Sequence, residues 1–262
     1  MKQAMILAAG LGTRLRPLTD TMPKALVPVG GRPLLAIVIE RLQAAGYERL
    51  VVNVHHNAEQ IEQYLRTNRN FGLDIAISDE RQLLLDTGGA LKKAAPLFDP
   101  GEPILIHNVD ILDNVDYEWL RREHLDDEDA VLLVSRRPTT RYLLFNSAMR
   151  LMGWTNSATG EVRSPFPWLR EAGVTVGEAL DVTSRLSPLA SRLAAFAFSG
   201  IHSFHPRLFP LMDRFPERFS IVDFYLSVCH RSRIVGCISD NLRILDVGKP
   251  GALQQAETFF TP

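Results

Sequence analysis

The most informative stretch of this chain is Met5-Ile-Leu-Ala-Ala-Gly10-Leu-Gly12-Thr-Arg14-Leu-Arg16-Pro-Leu-Thr19, followed by Pro23-Lys24. A short apolar strand over residues 4–8 runs into a turn that contains two glycines, and the turn is rich in basic side chains. Glycine lets the backbone approach a ligand closely, and the exposed N–H groups of such a turn favour an anion. At the end of the first strand of an α/β protein, this pattern is typical of a phosphate-binding active site.

Two common phosphate motifs do not fit this turn. A P-loop needs Gly, four residues and then Gly-Lys-Ser/Thr, and the sequence lacks that pattern. The dinucleotide fingerprint G-x-G-x-x-G begins at Gly10 and Gly12, but Leu15 stands where the third glycine belongs. The missing glycine and the basic side chains argue against a nicotinamide-dependent dehydrogenase. The basic side chains suit a site in which a polyphosphate reacts better than one in which a pyrophosphate is only bound.

The pattern Gly-x-Gly-Thr-Arg, four residues, Thr and then Pro-Lys resembles the signature of the sugar-1-phosphate nucleotidyltransferases, also called nucleoside-diphosphate-sugar pyrophosphorylases. The resemblance covers nearly the whole chain and is strongest over 4–30 and 85–110. It implies transfer of a nucleotidyl group from a nucleoside triphosphate (NTP) to a sugar 1-phosphate, with release of pyrophosphate. Within the family, the chain most resembles short single-domain uridylyltransferases of peptidoglycan recycling.

Strand and helix patterns alternate over the first half of the chain, which predicts right-handed β-α-β units and a parallel sheet. After about residue 135 the pattern changes to short, turn-rich hairpins over 142–163 and a long strand over 193–204, interrupted at Ser199-Gly200. We expect a Rossmann-like three-layer α/β/α fold of the glycosyltransferase-A type, with a mostly parallel mixed sheet and a smaller antiparallel hairpin region. One domain over 1–262 would hold nucleotide in about 1–135 and sugar phosphate in about 136–262.

Two segments are predicted to bind the nucleotide. The first is the glycine turn, whose backbone N–H groups would face the nucleotide at Ala8, Ala9, Gly10, Gly12 and Thr13. The second is Leu85-Asp86-Thr87-Gly88-Gly89, which resembles the base-recognition turn of the family. There Gly88 would leave room for a flat base, and Thr87 is placed to cap the helix that follows. Glu80 would accept a hydrogen bond from the base or ribose, although a purely structural role at the helix start is equally open.

The base itself is ranked from the shape of this turn. A small slot lined by backbone suits uracil or thymine, whose ring edge alternates acceptors with a donor. We therefore rank UTP first, dTTP second and GTP third, with Glu80 as the carboxylate that guanine would need.

Two aspartates are candidate ligands of Mg²⁺. Asp110 follows the apolar strand over 103–108, and Asp246 lies at the end of the strand pattern over 242–245, before Val247-Gly248. Ligands bind outside the carboxyl ends of strands in open α/β sheets, and Mg²⁺ prefers carboxylates together with substrate phosphates. The sequence does not show that the two aspartates are neighbours. The family resemblance implies it, with Val109 where the family has glycine before the first aspartate.

The basic residues of the glycine turn are the candidate catalytic groups. A phosphate monoester is already anionic, so positioning and electrostatic stabilisation are expected to do most of the catalysis. The resemblance implies that Arg14 grips the triphosphate and stabilises the leaving pyrophosphate. Lys24 would meet the α-phosphate or the sugar phosphate.

Four residues of the second half lie where the family holds the sugar phosphate. Trp154 would form a wall for the sugar ring, Asn156 a polar contact, Gly200 a backbone contact, and Asp223 a further polar group. Each also has a structural interpretation, since Trp154 resembles a core aromatic and Asp223 resembles a helix cap.

The substrate leaves several alternatives open. Within the class they are a mannose- or heptose-1-phosphate guanylyltransferase and a phosphocholine cytidylyltransferase, although no aromatic cage for a cationic headgroup is evident. Outside it, the chain would be a catalytically silent subunit that binds nucleotide sugars.

Composition limits the partners. The net charge of −1 argues against a nucleic-acid binder, and no apolar run approaches the ~20 residues of a membrane span. The two cysteines cannot form a disulfide framework, and no signal peptide is evident. We expect a cytoplasmic monomer or homodimer that has no membrane or nucleic-acid partner.

Overall fold

A mixed sheet forms the centre of the molecule in a computed structural model, which describes residues 1–124, 127–177, 180–184, 189–248 and 251–259. The strands are β1 (Gln3–Leu7), β2 (Pro28–Val29), β3 (Arg32–Pro33), β4 (Arg49–Val54), β5 (Asp74–Asp79), β6 (Ile104–Asn108), β7 (Ile111–Asp113), β8 (Ala130–Ser135), β9 (Arg141–Phe145), β10 (Leu151–Asn156), β11 (Glu161–Arg163), β12 (Val174–Val176), β13 (Val182–Ser184), β14 (Ala194–Phe204), β15 (Ile234–Ile238) and β16 (Ile244–Asp246). The helices are α1 (Leu34–Ala44), α2 (Ala58–Thr67), α3 (Asp86–Ala94), α4 (Tyr117–Arg122), α5 (Pro167–Arg170), α6 (Ile221–Val228) and α7 (Ala252–Glu257).

Four parallel strands carry the nucleotide half, in the order β6-β1-β4-β5. Their register aligns their carboxyl ends: Leu7, the last residue of β1, lies opposite both Asn53 on β4 and Asn108 on β6. The residues that follow these strands therefore gather at one edge of the sheet. In an open α/β sheet this edge is where ligands bind.

Apolar layers cover both faces of the sheet. Ala4 and Ile6 of β1 pack in one buried cluster and Met5 packs in the other, as the two-residue period of a strand requires. Helices α1 and α2 contribute to the first cluster, and α3 and α6 contribute to the second. This arrangement confirms the predicted three-layer fold, with a mixed sheet whose core strands are mostly parallel.

The second half of the chain extends the same sheet. Strands β9, β10 and β11 pair antiparallel, as predicted for the hairpin region. Strand β14 pairs antiparallel with β6 and β8, and its first residues pair with β9. Its register with β8 shifts between Phe198 and His202, which confirms the predicted interruption at Ser199-Gly200. No helix in the described part of the chain is long and apolar enough to cross a lipid bilayer.

Candidate active site

The glycine turn after β1 leaves a row of backbone N–H groups open to a ligand. The amides of Ala9, Gly10, Leu11 and Gly12 donate to no acceptor among the residues that the structure describes. A Cβ on Gly10 would meet no atom within 4 Å, so Gly10 faces open space. Thr13 starts a single 3-10 turn, Thr13–Leu15, which carries Arg14.

Gly12 and Thr19 shape this turn. Gly12 has φ of 64°, and a Cβ on it would lie 2.7 Å from Cγ2 of Thr19. The Thr19 hydroxyl donates to the Gly12 carbonyl at 2.7 Å. The Gly12 and Thr19 positions of the motif are therefore explained by the folding of the turn, whereas the Gly10 position is not.

Lys24, Asp110 and Arg14 meet at one point. Lys24 is only 8% exposed, and its ammonium group forms an ion pair with Oδ2 of Asp110. A Cβ placed on Gly248 would lie 2.5 Å from Nζ of Lys24, 2.8 Å from Oδ2 of Asp110 and 2.9 Å from Nη2 of Arg14. The turn at Gly248 thus lies directly against all three side chains.

A short strand pair brings Asp246 to the same place. Strand β16 pairs antiparallel with β7, and Asp246 lies opposite Ile111, the residue after Asp110. The Val247 N–H donates to the Asp110 carbonyl at 2.9 Å, and the Gly248 N–H donates to Oδ1 of Asp246 at 3.0 Å. The two aspartates, 136 residues apart in sequence (246 − 110), are thereby neighbours in the fold.

This pair of carboxylates fits a magnesium ion that is completed by substrate. In the described part of the chain, no three His, Cys, Asp or Glu side chains are grouped as a metal site. Mg²⁺ in phosphate-transferring sites commonly binds one or two carboxylates, with substrate phosphates and water as the other ligands. Asp110 and Asp246 supply that number of carboxylates beside the basic groups that would face the phosphates.

A small cavity of about 360 Å³ opens beside the glycine turn. It lies at the carboxyl ends of the parallel strands, where the fold places ligands. Its lining residues are Leu7, Ala9, Gly10, Lys24, Asn53, Glu80, Leu84, Asp86, Thr87, Asn108, Asp110 and Arg218. The nucleotide half therefore offers one pocket that reaches from the predicted base turn to Lys24 and Asp110.

The structure gives Glu80 a role within the protein. Its side chain is buried, with Oε1 accepting from Nδ2 of Asn53 at 2.8 Å and Oε2 accepting from the Leu85 N–H at 3.1 Å. Burial raises the pKa of the Glu80 carboxyl, and these two hydrogen bonds oppose that rise. Both oxygens accept hydrogen bonds from protein donors, which favours the structural interpretation that the sequence left open.

The predicted contacts of Ala8 and Gly88 with nucleotide also need correction. The Ala8 N–H donates to Oδ1 of Asn53 at 2.7 Å, and the Gly88 N–H donates to the Phe219 carbonyl at 2.9 Å. A Cβ on Gly88 would collide with the Phe219 ring. The glycine at position 88 therefore accommodates the chain that precedes α6, which sequence periodicity does not reveal.

The predicted cap at Thr87 is wrong in its partner. Helix α3 begins at Asp86, so Thr87 lies inside it, and the Thr87 hydroxyl oxygen accepts from the N–H of Ile221 at 2.9 Å. Ile221 is the first residue of α6, so Thr87 supports the start of that helix instead. This contact ties the predicted base turn to the second half of the chain.

A larger cavity of about 1040 Å³ lies on the side of the second half. It is rich in arginine, and the predicted residues Trp154 and Asn156 lie on its wall. Its lining residues are Arg14, Arg137, Pro138, Thr139, Thr140, Arg141, Leu143, Trp154, Asn156, Glu161, Arg163, Phe198, Ser220, Val222 and Asp246. Arg14 and Asp246 line this cavity, and Lys24 and Asp110 line the small one, so the two cavities meet at this cluster.

Trp154 and Arg163 stack on the wall of the larger cavity, and Asp223 pairs with Arg163. The Arg163 guanidinium lies 3.9 Å from the centre of the Trp154 ring and forms an ion pair with Asp223. Asp223 thus orients Arg163. Gly200 lies against the end of β6, with φ of 81°, where a Cβ would lie 2.6 Å from Nδ2 of Asn108. Its glycine is explained by this close approach to the end of β6.

Sequence reasoning missed Arg137 and Asn53. Arg137 follows β8, lines the larger cavity, and donates to the Phe198 carbonyl at 2.8 Å. Burial lowers the pKa of its guanidinium, and the charge of Asp246 opposes that shift. The signal for Arg137 was its position just beyond the end of a buried strand. The signal for Asn53 was a polar side chain within the apolar strand β4.

Comparison with known proteins places this geometry in context. A family model described as a nucleotidyl transferase matches residues 3–143. An N-acetylmuramate alpha-1-phosphate uridylyltransferase of Caulobacter vibrioides is 50% identical over 111 residues, 42% of this chain and 46% of that protein. A protein of the same name from Neisseria meningitidis is 44% identical over 115 residues, 44% of this chain and 49% of that protein. The chain thus spans about half the length of these curated relatives.

Similarity of fold extends over almost the whole chain. The crystal structure of HddC from Yersinia pseudotuberculosis, complexed with GMP-PN, superposes with a TM-score of 0.66 at 20% sequence identity. The superposition covers 98% of this chain and 98% of that one.

Proposed function

The chain belongs to the nucleotidyl transferase family, and from this premise we propose that it is a sugar-1-phosphate nucleotidyltransferase. It transfers a nucleotidyl group from an NTP to a sugar 1-phosphate and releases pyrophosphate. The observation that carries the proposal is the cluster of Arg14, Lys24, Asp110 and Asp246 at the junction of the two cavities. A transfer between two phosphates needs cationic groups between two binding pockets, and this cluster supplies them.

The reaction forms one phosphorus–oxygen bond and breaks another. An oxygen of the sugar phosphate attacks the α-phosphorus in line, and the bond to pyrophosphate breaks with its electron pair on the leaving oxygen. The attacking oxygen is already anionic, so the protein must overcome repulsion and hold the reactants in position. Arg14 presents a fork of donors to the leaving pyrophosphate. Lys24, held in place by Asp110, presents a compact charge to the α-phosphate.

Asp110 and Asp246 are proposed to hold Mg²⁺, which would neutralise charge on the phosphates. The open amides of Ala9, Gly10 and Gly12, with the amide of Thr13, are proposed to bind the nucleotide phosphates. Trp154 and Asn156 are proposed to bind the sugar.

The proposed donor is UTP and the proposed acceptor is N-acetylmuramate 1-phosphate or a close relative, as the names of the relatives suggest. The engagement of both Glu80 oxygens supports UTP over GTP, because the carboxylate considered for guanine is bonded elsewhere. A role in peptidoglycan recycling and a cytoplasmic location, where NTPs are available, belong to the same proposal.

The direct test is pyrophosphate release from UTP, dTTP, GTP, CTP and ATP against a panel of sugar 1-phosphates, with Mg²⁺. N-acetylmuramate, N-acetylglucosamine, glucose, mannose and heptose 1-phosphates form the panel, with phosphocholine added. We expect release only when both substrates are present, with UTP at least about tenfold better in kcat/KM than the next NTP. EDTA should abolish it.

Lys24→Ala provides the matched inactive control, and should lower turnover about 10²- to 10³-fold while the protein stays folded. Nucleotide-sugar binding without turnover for any pair would instead identify a silent subunit. Turnover with GTP alone would contradict the proposed base preference.

A further inference from the structure

A chain of buried hydrogen bonds runs across the carboxyl ends of β1, β4 and β5, and its two side chains line the small cavity. It starts at the Ala8 N–H, passes through the Asn53 amide and the Glu80 carboxylate, and ends at the Leu85 N–H. The successive distances are 2.7, 2.8 and 3.1 Å. Asn53 is 3% exposed and Glu80 is 1% exposed, so water does not compete for these groups.

The two ends of this chain belong to the two segments that border the small cavity. Ala8 is the first residue after β1 and begins the glycine turn. Leu85 is the residue before α3 and begins the segment predicted to face the base. Asn53 lies on β4, which pairs with β1 on one side and β5 on the other. The hydrogen bonds therefore link both segments through the carboxyl ends of three adjacent strands.

The buried pair of Asn53 and Glu80 supplies acceptors to two backbone N–H groups. An apolar pair could fill the same volume, but it would leave the N–H groups of Ala8 and Leu85 without acceptors. The carboxylate and the amide together supply one acceptor to each N–H and one bond to each other. The side chains of Asn53 and Glu80 satisfy these donors and acceptors in only one arrangement. They therefore fix the spacing between the glycine turn and the segment that begins at Leu85.

We infer that Asn53 and Glu80 are positioning residues that hold the glycine turn and the base turn at the spacing an NTP requires. The inference rests on the proposed nucleotide site. Neither side chain acts on the reacting atoms: Asn53 acts through the Ala8 amide, and Glu80 acts through the Leu85 amide. Substitution of either residue should therefore weaken binding of the nucleotide and leave binding of the sugar phosphate unaffected.

Glu80→Gln tests the arrangement with almost no change of shape. A glutamine at 80 offers one acceptor and one donor to two N–H donors, so it can satisfy only one of them. If the Asn53 amide turns to accept from it, the Ala8 N–H faces an NH₂ group instead of an oxygen. Either orientation breaks one link.

Asn53→Asp combined with Glu80→Gln restores every link, and only the hydrogen bond between positions 53 and 80 reverses its direction. The aspartate accepts from Ala8 through one oxygen and from the glutamine NH₂ through the other. The glutamine oxygen then accepts from Leu85. The double variant is therefore predicted to recover what each single variant loses.

The measurement is steady-state kinetics with UTP and the preferred sugar 1-phosphate, on the full chain. Glu80→Gln should raise KM for UTP about tenfold, the scale of one lost buried hydrogen bond. Asn53→Asp places a second buried carboxylate against Glu80 and should raise KM for UTP at least as much. KM for the sugar phosphate should stay within about twofold, and the double variant should return KM for UTP to within about threefold of the original. Glu59→Gln, on an exposed side chain that pairs with Arg81, is the matched control and should change nothing.

Three results would overturn the inference. One is an unchanged KM for UTP in both single variants. Another is an equal change in both KM values, as expected for a general loss of folded protein. The third is a double variant worse than either single variant.

A second readout separates this inference from the proposed function. Amide hydrogen exchange at Ala8 and Leu85 should accelerate at one or both sites in Glu80→Gln and return to the original rate in the double variant. In titrations without sugar phosphate, Glu80→Gln should bind UTP more weakly than the original protein, and the double variant should recover the original affinity. If no substrate pair turns over, the proposed activity fails, yet exchange and UTP binding still decide whether the pair positions these segments. Unaltered exchange at both amides in Glu80→Gln would reject the linkage itself.

Discussion

Two glycines of one motif serve different needs at the scale of the residue. Gly12 has φ of 64° and packs against Thr19, so its lack of a side chain is required by the fold. Gly10 faces the small cavity, and its lack of a side chain is not required by any neighbour in the described structure. A substrate that approaches the backbone explains Gly10.

Alanine at each position should separate these two needs. Gly12→Ala should lower the free energy of unfolding by about 1 kcal/mol or more, because alanine is strained at positive φ and its methyl group meets Thr19. Gly10→Ala should leave the stability within about 0.5 kcal/mol and weaken UTP binding. Urea unfolding and UTP titration measure both effects. Equal destabilisation by the two variants, or unaltered UTP binding in Gly10→Ala, would contradict this division.

Strand pairing completes the site at the scale of the element. Strand β16 has three residues, and its pairing with β7 carries Asp246 to Asp110. The Gly248 turn after β16 then closes against Lys24 and Arg14. A short element near the end of the chain therefore determines the distance between groups that the first half supplies.

Gly248→Ala should displace this cluster. Its methyl group would lie 2.5 Å from Nζ of Lys24 and 2.8 Å from Oδ2 of Asp110, closer than packing permits. A misplacement of about 1 Å can lower turnover about 10²-fold, and we expect a loss of that order in kcat. Gly101→Ala is the control, since its Cβ would meet Asp99 at an ordinary 3.4 Å. Normal kcat in Gly248→Ala would show that the turn does not constrain the cluster.

Some features of the fold and the site could be predicted from the sequence, and others could not. The parallel sheet, the hairpins and the break in β14 follow from periodicity and turn residues, which are local signals. The motif places Arg14 and Lys24 in the same connection between β1 and β2 for the same reason. The neighbourhood of Asp110 and Asp246 depends on the pairing of β7 with β16, which no local pattern encodes. Likewise Gly88 meets Phe219 and Glu80 meets Asn53 across the sheet, so their roles became visible only in three dimensions.

At the scale of the whole molecule, two buried histidines make the stability of the fold depend on pH. His202 lies on β14 between the rings of Phe198 and Tyr225, and its two ring nitrogens have no partner in the described structure. Burial lowers the pKa of His202 from 6.5 to about 3 and that of His124 to about 4. Both side chains are neutral in the folded protein at pH values where they are protonated in the unfolded chain.

Stability should consequently fall in acid. Below pH 6.5 the unfolded chain binds a proton at His202, whereas the folded protein binds that proton only near pH 3. Above pH 6.5, His202 is neutral in both states and does not change the free energy of unfolding. As the pH falls from 6.5 towards 3, the free energy of unfolding decreases by about 1.4 kcal/mol per pH unit because of this residue. His202→Phe keeps a buried ring without a titrating group and should flatten the dependence by that amount. Urea unfolding at pH 7, 6 and 5 measures it, and identical slopes for the two proteins would remove His202 from the account.

The two halves of the chain are proposed to build one reaction centre around Asp110 and Asp246. The most direct test is a double-mutant cycle with Asp110→Asn, Asp246→Asn and both together, measured as the rate of pyrophosphate release with saturating substrates and Mg²⁺. If both carboxylates serve one ion, the double variant should lose about as much activity as the more damaged single variant, because removing the second ligand of a lost site costs little more. Losses that multiply independently would contradict a shared centre.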